Sequence, residues 1–341
     1  GIVMKKVSAL LISGFSISLL LAGCQQNTTK SANAANTNEA KTNDTKTGDS
    51  KPLEEVRIGL QSSGALVYLR ESKLLEKSLE KSGIKVNWVQ FQSGPPMLEA
   101  LNTNNIDFGT TGDTPPIFAQ AAGSNLVYVA YEKPSPQSEA VIVPANSTLK
   151  SVAELKGKSV AVTKGSSANY TLLKALERDK LSFADIDVKY LQPSDARAAF
   201  ASGKLDAWTV WEPYLSSAKI ELKARVLTDA TGLKPNNTSF YLASTDFAQK
   251  HPDVVKDIVK AIDEADKAIT ADPVTFSKMI QKVTNLKPDV ALASVKSRNY
   301  GVNYITDDII QAQQQEADTF YKNKLLPKQI QVKDIVWYPP K

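Results

Sequence analysis

The chain has 341 residues, 42% of them apolar, with 41 basic and 36 acidic side chains, one cysteine and one histidine. A net charge of +5, spread along the chain, excludes a nucleic-acid-binding footprint, and a lone cysteine excludes a disulfide framework. Leu53 to Lys341 leaves 289 residues, enough for two domains.

Lys5 and Lys6 make a basic start, and Val7 to Ala22 is uncharged and mostly apolar. Those 16 residues fall short of the roughly 20 that a spanning helix needs. The run is set aside as a targeting segment before the fold is considered. It ends in Leu21-Ala22-Gly23-Cys24, which resembles the lipobox of bacterial lipoproteins. The resemblance implies that residues 1–24 are a signal peptide and that Cys24 is diacylated. Gln25 to Pro52 has no Val, Ile, Leu, Met or aromatic residue, so it buries too little apolar surface to order itself. Its 28 residues would span about 30 Å as a flexible coil, which suits a tether.

From Val56 onward strands and helices alternate. Val56–Leu60 is a strand and Ala65–Lys81 a helix ended by Gly83. Val86–Phe91 is the next strand, followed by a helix with proline in its first turn at Pro96. Ile106–Gly109 and Leu126–Tyr131 are strands, and Ser151-Val-Ala-Glu154 is a capping box. Ser159–Val162, a helix from Ser167 to Arg178, Val188–Leu191, a helix from Ser194 and Ala207–Val210 follow. After Ser239–Ala243 the pattern turns helical, with Pro252–Ala271 and Ile309–Tyr321 both amphipathic. The rhythm predicts an α/β fold of largely parallel sheets covered by helices.

Part of this pattern occurs twice. Ala100 to Pro115 and Ala199 to Pro213 both read as helix end, turn, strand and acid-opened loop, 99 residues apart. Asp107 then aligns with Asp206, and Asp113 with Glu212. Val56 to Gly64 and Ser159 to Ser167 are matching strand-to-turn segments upstream. Ligands bind at the carboxyl ends of strands in open α/β sheets, so two such edges facing each other make a cleft. Ala140–Val143 and Phe240–Ala243 bracket the second unit and are expected to pair as crossover strands at a hinge. The expected lobes are 53–141 with 243–341, and 142–242.

Marks of enzymes and metal sites are missing. His251 sits in Lys250-His-Pro-Asp253 at a helix start and reads as an exposed turn residue. Neither metal-ligand spacing nor a P-loop occurs, so no metal or cofactor is expected. Lys164-Gly-Ser-Ser-Ala-Asn169 lies between a strand and a helix, where free N–H groups and their partial charge suit an anion. Gly165 would let the backbone approach, with Ser166 and Ser167 adding hydroxyl donors. The same run also reads as an ordinary serine N-cap. Strand alternation puts Trp208 in the core and Trp211 at the strand end, as a pocket wall. Asp113 either receives an N–H from a neighbour or a ligand, or caps the helix after it.

Gly94-Pro-Pro-Met-Leu-Glu-Ala-Leu101, Thr111-Gly-Asp-Thr-Pro-Pro-Ile-Phe-Ala-Gln-Ala-Ala-Gly123, Lys164-Gly-Ser-Ser167, Asp195-Ala-Arg-Ala-Ala-Phe200 and Asp206-Ala-Trp208 with Trp211-Glu-Pro-Tyr214 resemble the aliphatic sulfonate-binding proteins of ABC importers, relatives of taurine-binding proteins. The resemblance runs from about Val56 to Pro339. It implies a two-lobed type II periplasmic-binding fold, with the sulfonate on the helix start at Ser166 to Ala168 and with Gln61, Asp113 and Trp211 lining the cleft. The full expected set is Gln61 and Ser62 after the first strand, Thr111, Gly112 and Asp113 after the third, Gly165, Ser166, Ser167 and Ala168, and then Trp211 and Glu212. Ser62-Ser63-Gly64 stands where the family pattern has Lys-Gly or a similar pair, and Glu212 where it has Asp. The implied function is capture of an alkanesulfonate for a membrane permease, by a monomer lipid-anchored on the outer face of the cell membrane. Taurine, nitrate or a thiamine-pyrimidine precursor are the other ligands considered. A pyrimidine synthase on the same fold is the enzyme alternative.

Overall fold

The computed structural model describes residues 51–234 and 237–341. The targeting run, Cys24 and nearly all of the expected tether lie outside the described residues. Among the described residues no helix is long and apolar enough to cross a membrane.

Eleven strands form two sheets: β1 Glu55–Leu60, β2 Lys85–Gln90, β3 Phe108–Thr111, β4 Leu126–Glu132, β5 Glu139–Val143, β6 Ser159–Val162, β7 Asp187–Tyr190, β8 Ala207–Trp211, β9 Arg225–Asp229, β10 Phe240–Ser244 and β11 Val302–Tyr304. The first sheet has the order β11-β4-β10-β3-β1-β2 and the second β7-β6-β8-β5-β9. In each, three strands run parallel (β2-β1-β3 and β7-β6-β8) and the others pair antiparallel, so the expectation of largely parallel sheets is corrected: both are mixed, because the chain crosses between sheets before β5 and β10 and those strands enter antiparallel.

The internal repeat is structural. β3 lies beside β1 as β8 lies beside β6. Asp107 Oδ2 accepts the Arg57 N–H of β1 at 2.8 Å, and Asp206 Oδ2 accepts the Ser159 N–H of β6 at 2.9 Å. Each aspartate thus locks the start of one parallel pair to the next. The first lock also holds the Arg57 guanidinium, whose Nη2 is 2.9 Å from Asp107 Oδ1.

The expected pairing of Ala140–Val143 with Phe240–Ala243 is corrected. β5 pairs with β8 and β9 in the second sheet, and β10 with β3 and β4 in the first. Both runs are fully buried core strands, which is why their apolar pattern stands out. The chain passes between sheets just before each of them, after β4 and after β9.

The predicted helix 65–81 is broken. Lys73 adopts the left-handed conformation at φ 62°, splitting it into Ala65–Ser72 and Leu74–Leu79, with a 3-10 turn to Ser82. A continuous helix would place Leu75 about 120° around from Leu69. The break brings both into one core with β1, where each is fully buried. β3 starts two residues later than predicted, because Ile106 and Asp107 are held by Ala100 O and Arg57 O in the preceding turn.

The helices after β10 return to the first sheet. Helix Pro252–Ala271 buries Val255, Ile258, Ile262 and Ile269 against it, each such side chain worth about 1.5–3 kcal/mol. A further apolar cluster joins Tyr170 and Leu173, from helix Ser167–Arg178 of the second half, to Phe320 of the C-terminal helix Asp307–Lys322.

Candidate functional site

Helix Ser167–Arg178 begins where β6 ends, and its start is organised by the sequence itself. Gly165 takes φ 74°, which favours glycine, and turns the chain into the helix. Ser166 is the N-cap: its Oγ accepts the Asn169 N–H at 3.3 Å. The Gly165 N–H goes to Asn169 Oδ1 and the Ser166 N–H to Thr163 O. Among the described residues this leaves the Ser167 and Ala168 N–H groups as the free donors of the helix start. The two hydroxyl protons are not free. Ser166 Oγ donates to Thr163 O at 2.6 Å, and Ser167 Oγ to Glu139 Oε1 at 2.5 Å.

The loop after β3 faces this start. The carboxyl ends of β1 and β3 and the amino end of the antiparallel β10 meet it across a cavity of about 70 Å³, room for a compact group or a few waters. Of the expected residues, Gln61, Thr111, Gly112, Ser166, Ser167 and Trp211 line that cavity. Gly165 and Ala168 flank the lining residues Ser166 and Ser167 in the chain and are not in the lining themselves. Trp208 is buried in the second core at 1% exposure.

Three expected residues sit elsewhere. Ser62 faces a separate outer groove, where its Oγ accepts Gln90 Nε2 at 3.2 Å. The side chain of Glu212 caps the helix after β8, accepting the Ser216 N–H at 2.7 Å and the Ser216 and Ser297 hydroxyls. Asp113 points inward and neither caps its helix nor lines the cavity. The buried ammonium of Lys234 lies 3.1 Å from Asp113 Oδ2 and 3.2 Å from Glu139 Oε2. Burial alone would lower the Lys234 pKa, but Asp113 and then Glu139 outweigh it and hold it raised. Burial, and then Asp113, push the Glu316 carboxyl well above the carboxylate range. The cluster sets one buried ammonium between the Asp113 and Glu139 carboxylates.

Cross-sheet hydrogen bonds close the cavity. Ser63 Oγ donates to Glu212 O at 3.2 Å, Ser93 Oγ to Gln192 Oε1 at 2.9 Å and Ser194 Oγ to Gln92 Oε1 at 2.9 Å. Tyr214, on the far side of Trp211, packs on it edge to face.

Sequence reasoning missed Lys234, Glu139, Glu132 and Arg298. None belongs to the repeat, and each reaches the site from a connection or a strand end. The one signal for Lys234 was a lysine beside Gly232 in an otherwise uncharged turn. Among the described residues no group of three or more metal-ligating side chains occurs, and His251 stands at a helix junction beside Phe247.

Residues 79–275 match the model of the NMT1/THI5-like family. The chain belongs to this family. Similar members include a Bacillus subtilis strain 168 protein named for aliphatic sulfonate binding, 35% identical over 98% of this chain and 95% of its own. The alkanesulfonate-binding protein SsuA from Xanthomonas axonopodis pv. citri, solved bound to MOPS, is 39% identical, with a TM-score of 0.81 over 84% of this chain and 99% of its own. The periplasmic aliphatic sulphonate binding protein SsuA from Escherichia coli is 41% identical, with a TM-score of 0.77 over 84% and 93%. The resemblance carried by the sequence motifs and the two-lobed binding-protein fold are both borne out.

Proposed function

We propose that this chain is a substrate-binding protein that captures an aliphatic sulfonate between its two sheets and delivers it to the permease of an ABC importer. The observation that carries the reading is the helix start at Ser166 and Ser167, which lines the cavity and has the Ser167 and Ala168 N–H groups free. A sulfonate is a monoanion with three acceptor oxygens. Backbone donors at a helix N-terminus satisfy it without a cationic partner. The similar proteins named for sulfonate binding support the same ligand class.

In the proposed mechanism the anion docks on the helix start with Gly112 and Thr111 opposite, and the carbon chain rests against Trp211. The two sheets are the cores of two lobes, divided between β4 and β5 and between β9 and β10, a few residues before the expected bounds of 53–141 with 243–341 and 142–242. The hinge lies in the connections after β4 and after β9. Closure assembles both walls, and the closed form is what the permease meets. Cys24 anchors the protein to the membrane through lipid, and residues 25–52 act as its tether. We read the chain as a binder and not an enzyme. The Ser166 hydroxyl is held by the Thr163 carbonyl, and the Ser167 hydroxyl by Glu139, whose carboxylate also accepts Thr171 and the Lys234 ammonium; the named relatives, all binding proteins, support the same reading.

Calorimetric titration with ethanesulfonate, taurine, sulfate, nitrate and an aminopyrimidine tests the ligand class. Tightest binding of a sulfonate is expected, with every ligand recovered at unchanged mass. Preference for nitrate or the pyrimidine, or a mass-altered product, would overturn the reading.

A further inference from the structure

One cation in the cavity is left without work. Arg298 follows helix Pro288–Lys296 and lines the cavity. A guanidinium presents five N–H donors. Among the described residues the Arg298 guanidinium makes one hydrogen bond, from Nη1 to Ser239 Oγ at 3.4 Å, and no ion pair; its Nε is buried without a partner. Thr238 Oγ1, from a residue lining the same cavity, is also buried and unpartnered. The acids of the cavity are satisfied by other groups. Glu132 accepts the Tyr241 hydroxyl at 3.0 Å and the Gly301 N–H at 3.1 Å, while Glu139 holds Ser167, Thr171 and Lys234. Buried donors left unmade are costly, and a cleft that keeps several is shaped for an acceptor that arrives with the ligand.

We propose that Arg298, with Thr238, forms a second recognition point that reads a neutral oxygen function in the ligand's carbon chain, so that hydroxylated or ether-bearing alkanesulfonates are preferred over plain n-alkanesulfonates. This rests on the sulfonate occupying the helix start at Ser167. A neutral oxygen fits better than a second anion. Glu132 lines the same cavity and already offsets the guanidinium charge without touching it. A carboxylate placed there would add negative charge beside Glu132, whereas a hydroxyl accepts from Arg298 and donates to Thr238 Oγ1.

The test is calorimetric titration of the wild type, Arg298→Gln, Arg298→Lys and Thr238→Val. The ligands are ethanesulfonate and butanesulfonate and their ω-hydroxy counterparts, and the melting temperature of each ligand-free variant is recorded as a fold control. The wild type should bind at least one hydroxylated member about ten- to a hundred-fold more tightly than its parent. Arg298→Gln should weaken hydroxylated ligands about ten-fold or more beyond any loss for their parents, erasing that preference; Arg298→Lys should keep part of it, and Thr238→Val, which adds no charge change, should reduce it. A wild type with no preference overturns the proposal. So does an Arg298→Gln variant that loses parent and hydroxylated ligands equally, which would place the sulfonate itself on Arg298. A wild type that binds no sulfonate defeats the functional reading as a whole, a result distinct from either.

Discussion

A Cβ added to Gly112 would stand 2.7 Å from the Cβ of Ser167, closer than side-chain carbons come. Gly112 follows β3 in the first sheet and Ser167 opens the helix after β6 in the second, so this contact is where the halves of the site meet. Glycine is required by the neighbour and not by the backbone, since Gly112 is not in the left-handed region. Gly112→Ala should therefore leave the unliganded fold intact and oppose closure. Overpacking of this kind costs about 1–3 kcal/mol, or roughly five- to a hundred-fold in affinity. Titration together with ligand-free melting checks it, and unchanged affinity would show that ligand binding does not need this contact.

Ser166 separates capping from ligand contact. Its hydroxyl proton goes to Thr163 O, so Ser166→Ala removes a cap and not a ligand donor. The expected loss is about 0.5–2 kcal/mol of stability with little change in sulfonate affinity. Ser166→Asp should abolish binding, because its carboxylate would occupy the positive end of the helix. Near-normal affinity in Ser166→Asp would move the anion site elsewhere.

Lys234 is the only cation described within the buried acid cluster of Asp113, Glu139 and Glu316. Lys234→Met leaves uncompensated buried charge and should destabilise the protein by about 3–5 kcal/mol in a denaturant titration. Adding Asp113→Asn should recover part of the loss. If the double variant is no more stable than the single one, the cluster's charge balance is not what Lys234 supplies.

Asp266 gives a pH dependence with a definite sign. Asp266 is buried on helix Pro252–Ala271, next to Glu132. Burial, and then the neighbouring Glu132, push its carboxyl up to about 10. The folded state thus holds a proton that the unfolded chain releases near its ordinary value. The stabilisation is complete below that ordinary value and is lost progressively as pH rises toward 10. Asp266→Asn keeps a donor toward Glu132 without the titration. Its melting temperature relative to wild type should therefore climb from pH 6 to pH 9; a constant difference would mean that Asp266 is ionised throughout.

The Cys24 proposal has its own test. Cys24→Ala should appear in the soluble fraction after membrane separation and retain its sulfonate affinity, since 28 residues separate it from the folded body. Full retention in the membrane pellet would refute lipid anchoring.

The sequence carried the features that repeat. Asp107 and Asp206 were alignable because both must sit where a strand's first N–H needs an acceptor, and the structure gives them matching bonds. The helix start at Ser166 was legible because caps and glycine turns are local chemistry. Arg298 and Lys234 were not, since a lone lysine in an uncharged turn, or an arginine after a helix, looks like a surface residue; their roles arise from contacts such as Lys234 with Asp113, 121 residues away. Asp113 was misplaced for the same reason: an acid opening a loop looks alike whether it faces a ligand or a distant lysine. The crossover strands were misread because buried apolar runs look the same whichever sheet receives them.

The hydrogen bonds from Ser63 to Glu212, Ser93 to Gln192 and Ser194 to Gln92 all cross between the sheets around a cavity with little spare room. A molecule held there is gripped from both halves, and parting the halves breaks these three bonds along with the Ser297–Glu212 bond and the Tyr170–Phe320 contact. Residence time is then governed by how often the halves part, whatever the cargo inside. Cargoes that fit differently would differ chiefly in how strongly they hold the halves together, and a permease that pries the halves apart would release each of them by the same route.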